Sequence, residues 1–207
     1  MRNTKLIVMI EGAVIAAICV ALSFIPINTA NAAFDLSLGL IPLGVYALRR
    51  GLLPGLAVGF VWGLLLIVLG KAYILTIPQV LLEYPLAFAF GGFGGVFSGL
   101  LKRRLSAYPD KINIDNADKP KKSGIGGAIT IVIFAGIVAA IARWFFHFWA
   151  GVVFWGSYAP EGMSPYLYSF IMNGTSAAAN AAMLAAVLAI LLKTARLLFI
   201  PQKSPTE

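Results

Sequence analysis

The sequence predicts an all-α integral membrane protein with six transmembrane helices and both termini in the cytoplasm. Composition is the first reason: of 207 residues, 60% are hydrophobic and only 12% charged, and mean hydropathy is +0.89. Soluble domains carry about 25% charged residues, so this chain has too little charge to cover a water-facing surface. Segment spacing is the second reason. Apolar runs near 5–26, 36–49, 52–70, 79–101, 125–155 and 163–197 are separated by polar or Pro/Gly punctuation, and about 20 apolar residues cross a hydrocarbon core. The third is the placement of Lys and Arg. Fourteen of the sixteen basic residues fall before the first run, between the second and third, after the fourth and at the C-terminal end. Those positions share one side of a six-span map, which the positive-inside rule assigns to the cytoplasm. The formal net charge of +8 is thus a topology signal, and no nucleic-acid partner is needed to account for it.

Each element follows in order. The runs are helices because an open strand edge cannot be satisfied in lipid, and the polar alternation of a membrane barrel is absent. The first run follows Arg2 and Lys5 and carries Glu11 near its cytoplasmic end, where a carboxylate can be solvated or locally paired. Together with Ala30-Asn31-Ala32 it imitates a secretory signal, but Glu11 interrupts the run and its length exceeds an ordinary signal core. The short second and third runs meet at Arg49-Arg50-Gly51 and form a tight hairpin. Pro78 opens the fourth as a first-turn proline. A polar cytoplasmic linker at about 103–124 leads to the fifth run, and a polar tail at about 201–207 follows the sixth. These last two runs exceed one bilayer thickness and should tilt or project. Residues 1–207 are expected to form a single six-helix membrane domain. Asn173-Gly174-Thr175 matches a glycosylation sequon but falls within the sixth run.

Ionisable groups inside spans are rare and usually functional. Glu83 lies less than about 10 Å below the outer end of the fourth helix, at 1.5 Å rise per residue. Arg143 and His147, one turn apart, approach the outer end of the fifth, and Trp155 follows. Tyr168 and Asn173 fall in the first three turns of the sixth. Topology therefore gathers Glu83, His147, Trp155, Tyr168 and Asn173 in the outer half. An anion, an amide, a phenol, an imidazole and an indole suit a planar, nitrogen-rich organic cation. Two other readings stay open at this level: Glu83 paired structurally with Arg143, and Trp144, Trp149, Trp155 and Tyr168 as ordinary interfacial belt residues. Tyr168 and Asn173, five residues apart, are about 140° apart on a regular helix, so one pocket must wrap the helix to reach both. On the first helix, Ala13, Ala17 and Ala21 form a small-residue stripe that admits a close helix neighbour, within the protein or outside it.

Catalysis has little to stand on. No P-loop is present, since Gly70-Lys71 is followed by Ala72. One His and one Cys support neither a metal site nor an internal disulfide. The chain is expected to be no enzyme, with no catalytic residue and no metal ligand. A proton-coupled carrier for an organic cation using Glu83 and His147 is the alternative function, although inverted repeats are lacking. An intramembrane enzyme is the more distant rival.

Five runs carry a further signal: LRRG at 48–51, GFVWGLL at 59–65, KAYILTIPQVLLEY at 71–84, FFHFWAGVVFWGSYAPEG at 145–162 and YSFIMNG at 168–174. They resemble the thiamine-specific substrate-binding subunits (S-components) of energy-coupling factor transporters, over nearly the whole chain except the linker and tail. The resemblance implies an S-component-like fold in the plasma membrane of a bacterium, part of an ABC-type vitamin importer. It implies capture of thiamine at the outer face, with a transmembrane coupling subunit and two cytoplasmic ATPases as partners; ATP is used by those partners, and this chain needs no cofactor. The implied thiamine pocket comprises Glu83, Tyr84, His147, Trp155, Tyr168 and Asn173, with Tyr73 on a covering loop. The implied docking stripe on the coupling subunit is Ala13, Ala17 and Ala21. Glu83 and Asn173 would bond polar edges of the aminopyrimidine or balance the thiazolium, Trp155 and His147 would stack, and Tyr168 would orient. Two departures stand out: Ala33 and Phe34 where relatives often carry tryptophan, and Pro85 directly after Tyr84.

Overall fold

A computed structural model describes residues 4–25, 27, 35–106 and 123–201. Six helical segments account for most of them: α1 (Thr4–Leu22), α2 (Leu40–Arg50), α3 (Leu52–Val68), α4 (Ile77–Ser106), α5 (Ser123–Phe154) and α6 (Pro165–Thr194). No multi-residue strand occurs among the described residues. Four helices, α1, α4, α5 and α6, are long and apolar enough to cross a membrane, and α3 is a shorter apolar helix. Most of the linker and tail expected from the sequence, with Ala30–Ala32, Ala33 and Phe34, lies outside the described residues. Within the linker span, Arg103–Ser106 continue α4 and α5 begins at Ser123.

The second helix is shorter than its apolar run suggests. It starts at Leu40 rather than near residue 36, because the preceding backbone is bonded elsewhere. The Asp35 amide donates to Ser176 Oγ at 3.0 Å and the Ser37 amide to Asn180 Oδ1 at 2.9 Å, both on α6. These bonds, with the Asp35 carbonyl accepting from Asn180 Nδ2 at 2.7 Å, fix the segment against α6 in a non-helical path and satisfy its polar backbone there. At 11 residues, α2 is about 16 Å long, half a hydrocarbon core. It is nevertheless enclosed, with Leu40, Leu43, Ala47 and Leu48 all buried against the other helices. Gly51, at φ 104°, makes the one-residue turn into α3. Only glycine adopts this conformation without strain.

The α3–α4 contact rests on Gly55, Gly59 and Gly63, four residues apart. A methyl group on Gly59 would sit 2.2 Å from the Phe88 carbonyl oxygen, and one on Gly63 would sit 2.5 Å from that of Tyr84. Backbone thus meets backbone, the use small-residue spacing has in membrane helices. α4 itself is irregular. Pro78 stands in its first turn after the Thr76 cap, whose Oγ1 accepts from the Gln79 amide at 3.3 Å. Residues Leu82–Leu86 then form a π-turn containing Pro85. A proline ring would clash with the carbonyl four residues earlier in a regular helix, and the wider turn accommodates it. α5 and α6 pack along most of their length, bringing the outer half of each beside the start of α4.

At the basic end, Glu11 of α1 takes bonds from Arg50 Nε at 2.6 Å and Nη2 at 2.5 Å, with Arg49 Nη2 at 3.5 Å. Arg49 Nη1 also donates to the carbonyls of Leu197 at 3.0 Å and Ile200 at 2.5 Å. Arg196 Nη2 reaches the Leu105 carbonyl at 2.5 Å. Helix ends leave carbonyls without intrahelical partners, and arginines satisfy them here. Glu11 is the locally paired carboxylate that its depth suggests.

Candidate ligand pocket

The other end of the bundle holds a cavity of about 880 Å³, open to one side. Its walls come from the end of α1, the segment at 35–38, the α3–α4 loop, the first turns of α4, and the outer halves of α5 and α6. All seven predicted pocket residues, Tyr73, Glu83, Tyr84, His147, Trp155, Tyr168 and Asn173, line it.

Glu83 sits in the π-turn. Its Oε1 accepts from Trp155 Nε1 at 2.6 Å, and its other oxygen accepts from Gln79 Nε2. Both donors are neutral, and no ion pair to Glu83 exists among the described residues. The pairing with Arg143 that the sequence left open is therefore not formed: Arg143 Nη2 donates to Asp35 Oδ2 at 3.3 Å instead. Depth along the helices could not reveal this, because Asp35 lies in an irregular connection between apolar runs. The Glu83 carboxyl is oriented but not matched by a cation among the described residues.

The loop from Leu69 to Thr76 is tied down by α4. Gln79, fully buried, donates from Nε2 to the Tyr73 carbonyl at 3.1 Å and accepts at Oε1 from the Leu75 amide at 2.9 Å. The Tyr73 amide donates to Tyr84 Oη at 2.9 Å. Tyr73 then lays its ring 5.4 Å from that of Trp155. Lys71 Nζ stands 4.4 Å above the Phe24 ring, fastening the same loop to the end of α1. Sequence reading missed Gln79, although its place one turn before Glu83 was a usable signal.

On α5, Arg143, Trp144, His147 and Gly151 share a cavity-facing stripe. Trp144 Nε1 and His147 Nε2 are buried without hydrogen-bond partners among the described residues. Orphaned donors or acceptors of this kind cost free energy when left unmade, and a polar ligand would satisfy them. Gly151 lets α6 approach closely, since a methyl there would sit 2.2 Å from Ser169 Oγ and 2.7 Å from Asn173 Nδ2. On α6, Asn173 Nδ2 donates to Ser169 Oγ at 3.1 Å, and Ser169 Oγ donates to the Phe148 carbonyl at 2.7 Å. Tyr168 and Asn173 both line the cavity because it wraps α6. From Tyr168 to Ala177 the lining residues cover about half the helix circumference at 100° per residue.

Ala13, Ala17 and Ala21 are all exposed, whereas the face of α1 packed on the bundle is Gly12, Ala16 and Cys19. Among the described residues the stripe faces away from the packed side of α1. Among the described residues no cluster of metal-ligating side chains occurs.

The chain matches the family described as thiamine transporter protein (Thia_YuaJ) over residues 9–200. It belongs to that family. A curated relative, the thiamine transporter ThiT of Lacticaseibacillus paracasei, is 39% identical over 96% of this chain and 93% of its own length. ThiT of Bacillus subtilis is 28% identical over 94% of both. Among solved structures, ThiT from Listeria monocytogenes superposes with a TM-score of 0.84 at 39% identity, covering 96% of this chain and all of that one. The family is one of membrane transporters, so this is a multi-pass membrane protein and not an enzyme.

Proposed function

We propose that this chain is the thiamine-binding subunit of an energy-coupling factor importer in a bacterial plasma membrane. Thiamine is a cation built of two planar rings, one of them nitrogen-rich, joined by a methylene bridge, and the curated relatives are named thiamine transporters. The observation that carries the reading is Glu83: a carboxylate fixed by Trp155 and Gln79, facing a cavity, with no ion-pair partner among the described residues. A cationic ligand supplies the missing charge, while Trp155, His147 and Tyr84 offer ring faces and Asn173 and Tyr168 offer polar contacts. The single six-helix domain takes no cofactor of its own. A coupling subunit docks on the exposed Ala13, Ala17 and Ala21 stripe, and two cytoplasmic ATPases hydrolyse ATP to drive release inward.

The test is thiamine quenching of tryptophan fluorescence in the purified protein beside Trp155→Ala, followed by uptake in vesicles with and without the coupling subunit and ATPases. Saturable quenching that Trp155→Ala weakens at least about tenfold, roughly 1.4 kcal/mol, and uptake that needs the partners and ATP, is the expected result. Ala17→Leu should leave quenching intact and abolish ATP-driven uptake. Uptake by the chain alone would instead establish a proton-coupled carrier.

A further inference from the structure

The cavity holds a fixed cation as well as a carboxylate. Arg143 lines it while remaining 7% exposed, its Cζ lies 4.7 Å from the centre of the Phe88 ring, and its Nε has no partner among the described residues. A guanidinium in this position opposes a cationic ligand, and the low dielectric of the site strengthens that opposition. Asp35 offsets it. Its carboxylate accepts from Arg143 Nη2 at 3.3 Å, and its backbone is pinned to α6 on both sides: the amide donates to Ser176 Oγ at 3.0 Å and the carbonyl accepts from Asn180 Nδ2 at 2.7 Å. The backbone bonds hold Asp35 in place independently of its charge. What its carboxylate adds is electrostatic.

We infer that Asp35 determines ligand charge specificity: by neutralising Arg143 within the cavity, it makes the pocket favour a cation over the phosphorylated, anionic form of the same molecule. Among the described residues the Asp, Glu, Lys and Arg side chains that line the cavity are Asp35, Glu83, Lys71 and Arg143, two carboxyl groups beside two basic groups. Lys71 is held over Phe24, and Glu83 is oriented by neutral donors. Removing the Asp35 charge leaves the lining net positive, with a bare guanidinium able to bind phosphate oxygens. This inference rests on the thiamine reading above.

The decisive variant is Asp35→Asn, which keeps both backbone bonds and nearly the same shape. Dissociation constants for thiamine and thiamine monophosphate are measured by calorimetry on wild type, D35N, R143Q and the double variant, each eluting as a monodisperse species. The ratio of the monophosphate constant to the thiamine constant is expected to fall at least about fivefold in D35N. In the Arg143→Gln background the same substitution should leave the ratio nearly unchanged, as a double-mutant cycle requires of a coupled pair. A smaller fall in D35N, or an equal fall in both backgrounds, overturns the inference. If D35N does not fold, Asp35→Ser removes the same charge and carries the same expectation, and Arg143→Met replaces R143Q on the same terms. Wild-type protein that binds thiamine but shows an unmoved ratio in D35N removes this inference alone, whereas wild type that binds no thiamine removes the functional reading with it.

Discussion

The two ends of the bundle use carboxylates in opposite ways. At the basic end Glu11 faces two arginines within 3.5 Å, and one of them, Arg49, also reaches the carbonyls of Leu197 and Ile200 just after α6. The Glu11 charge is more than matched inside the protein, so this carboxylate needs no cationic ligand. At the other end Glu83 is held by an indole N–H and an amide, beside a cavity of about 880 Å³. An acidic residue in a span therefore does not mark a site by itself. The partner decides: an arginine makes the carboxylate a staple, whereas neutral donors leave it aimed at the cavity without a matching cation.

The sharpest way to break this contrast is to remove each carboxylate's charge in turn. Glu83→Gln should weaken thiamine binding at least about a hundredfold, roughly 2.7 kcal/mol, measured by fluorescence quenching; a change under threefold would place the site elsewhere. Gly151→Ala should come next. Its methyl would sit 2.2 Å from Ser169 Oγ, and overpacking of about 1–3 kcal/mol should appear as about tenfold weaker binding with a lowered melting temperature. Gln79→Leu leaves the Leu75 amide and the Tyr73 carbonyl unpaired and frees one Glu83 oxygen. About fivefold weaker binding is expected by calorimetry, with the overall fold retained, since a lost polar partner costs about 1–3 kcal/mol. Glu11→Gln completes the series with the smallest effect on the ligand. Binding should stay within about twofold, while thermal unfolding in detergent should show a loss of about 1–2 kcal/mol from two uncompensated, partly buried arginines.

The same contrast separates what was legible in the sequence from what was not. The helical spans were legible because lipid imposes a length, and residues 79–101, for instance, fall wholly inside α4. Depth alone brought Glu83, His147, Trp155, Tyr168 and Asn173 to one end, while Tyr73 and Tyr84 entered through the resemblance. The hydrogen bonding at that end was hidden. Asp35 sits where no periodicity applies, and its bonds to Arg143, Ser176 and Asn180 span more than 100 residues. Gly55, Gly59 and Gly63 were visible as letters, but their role needs the position of α4, whose π-turn follows from how Pro85 is accommodated in three dimensions. The shortening of α2 was equally hidden, because the run at 36–39 is read as helix until the bonds of Asp35 and Ser37 to α6 are seen to hold it in a different path.

One small feature can report on opening at this end of the bundle. Cys19 is the single cysteine of the chain, fully buried, with its thiol donating to the Gly39 carbonyl at 3.1 Å. It therefore sits at the seam between α1 and the segment that carries Asp35. A thiol reagent can reach it only when that seam parts, so the rate of alkylation becomes a native clock for opening. Ligand that holds the seam shut slows the clock, and no engineered label is required.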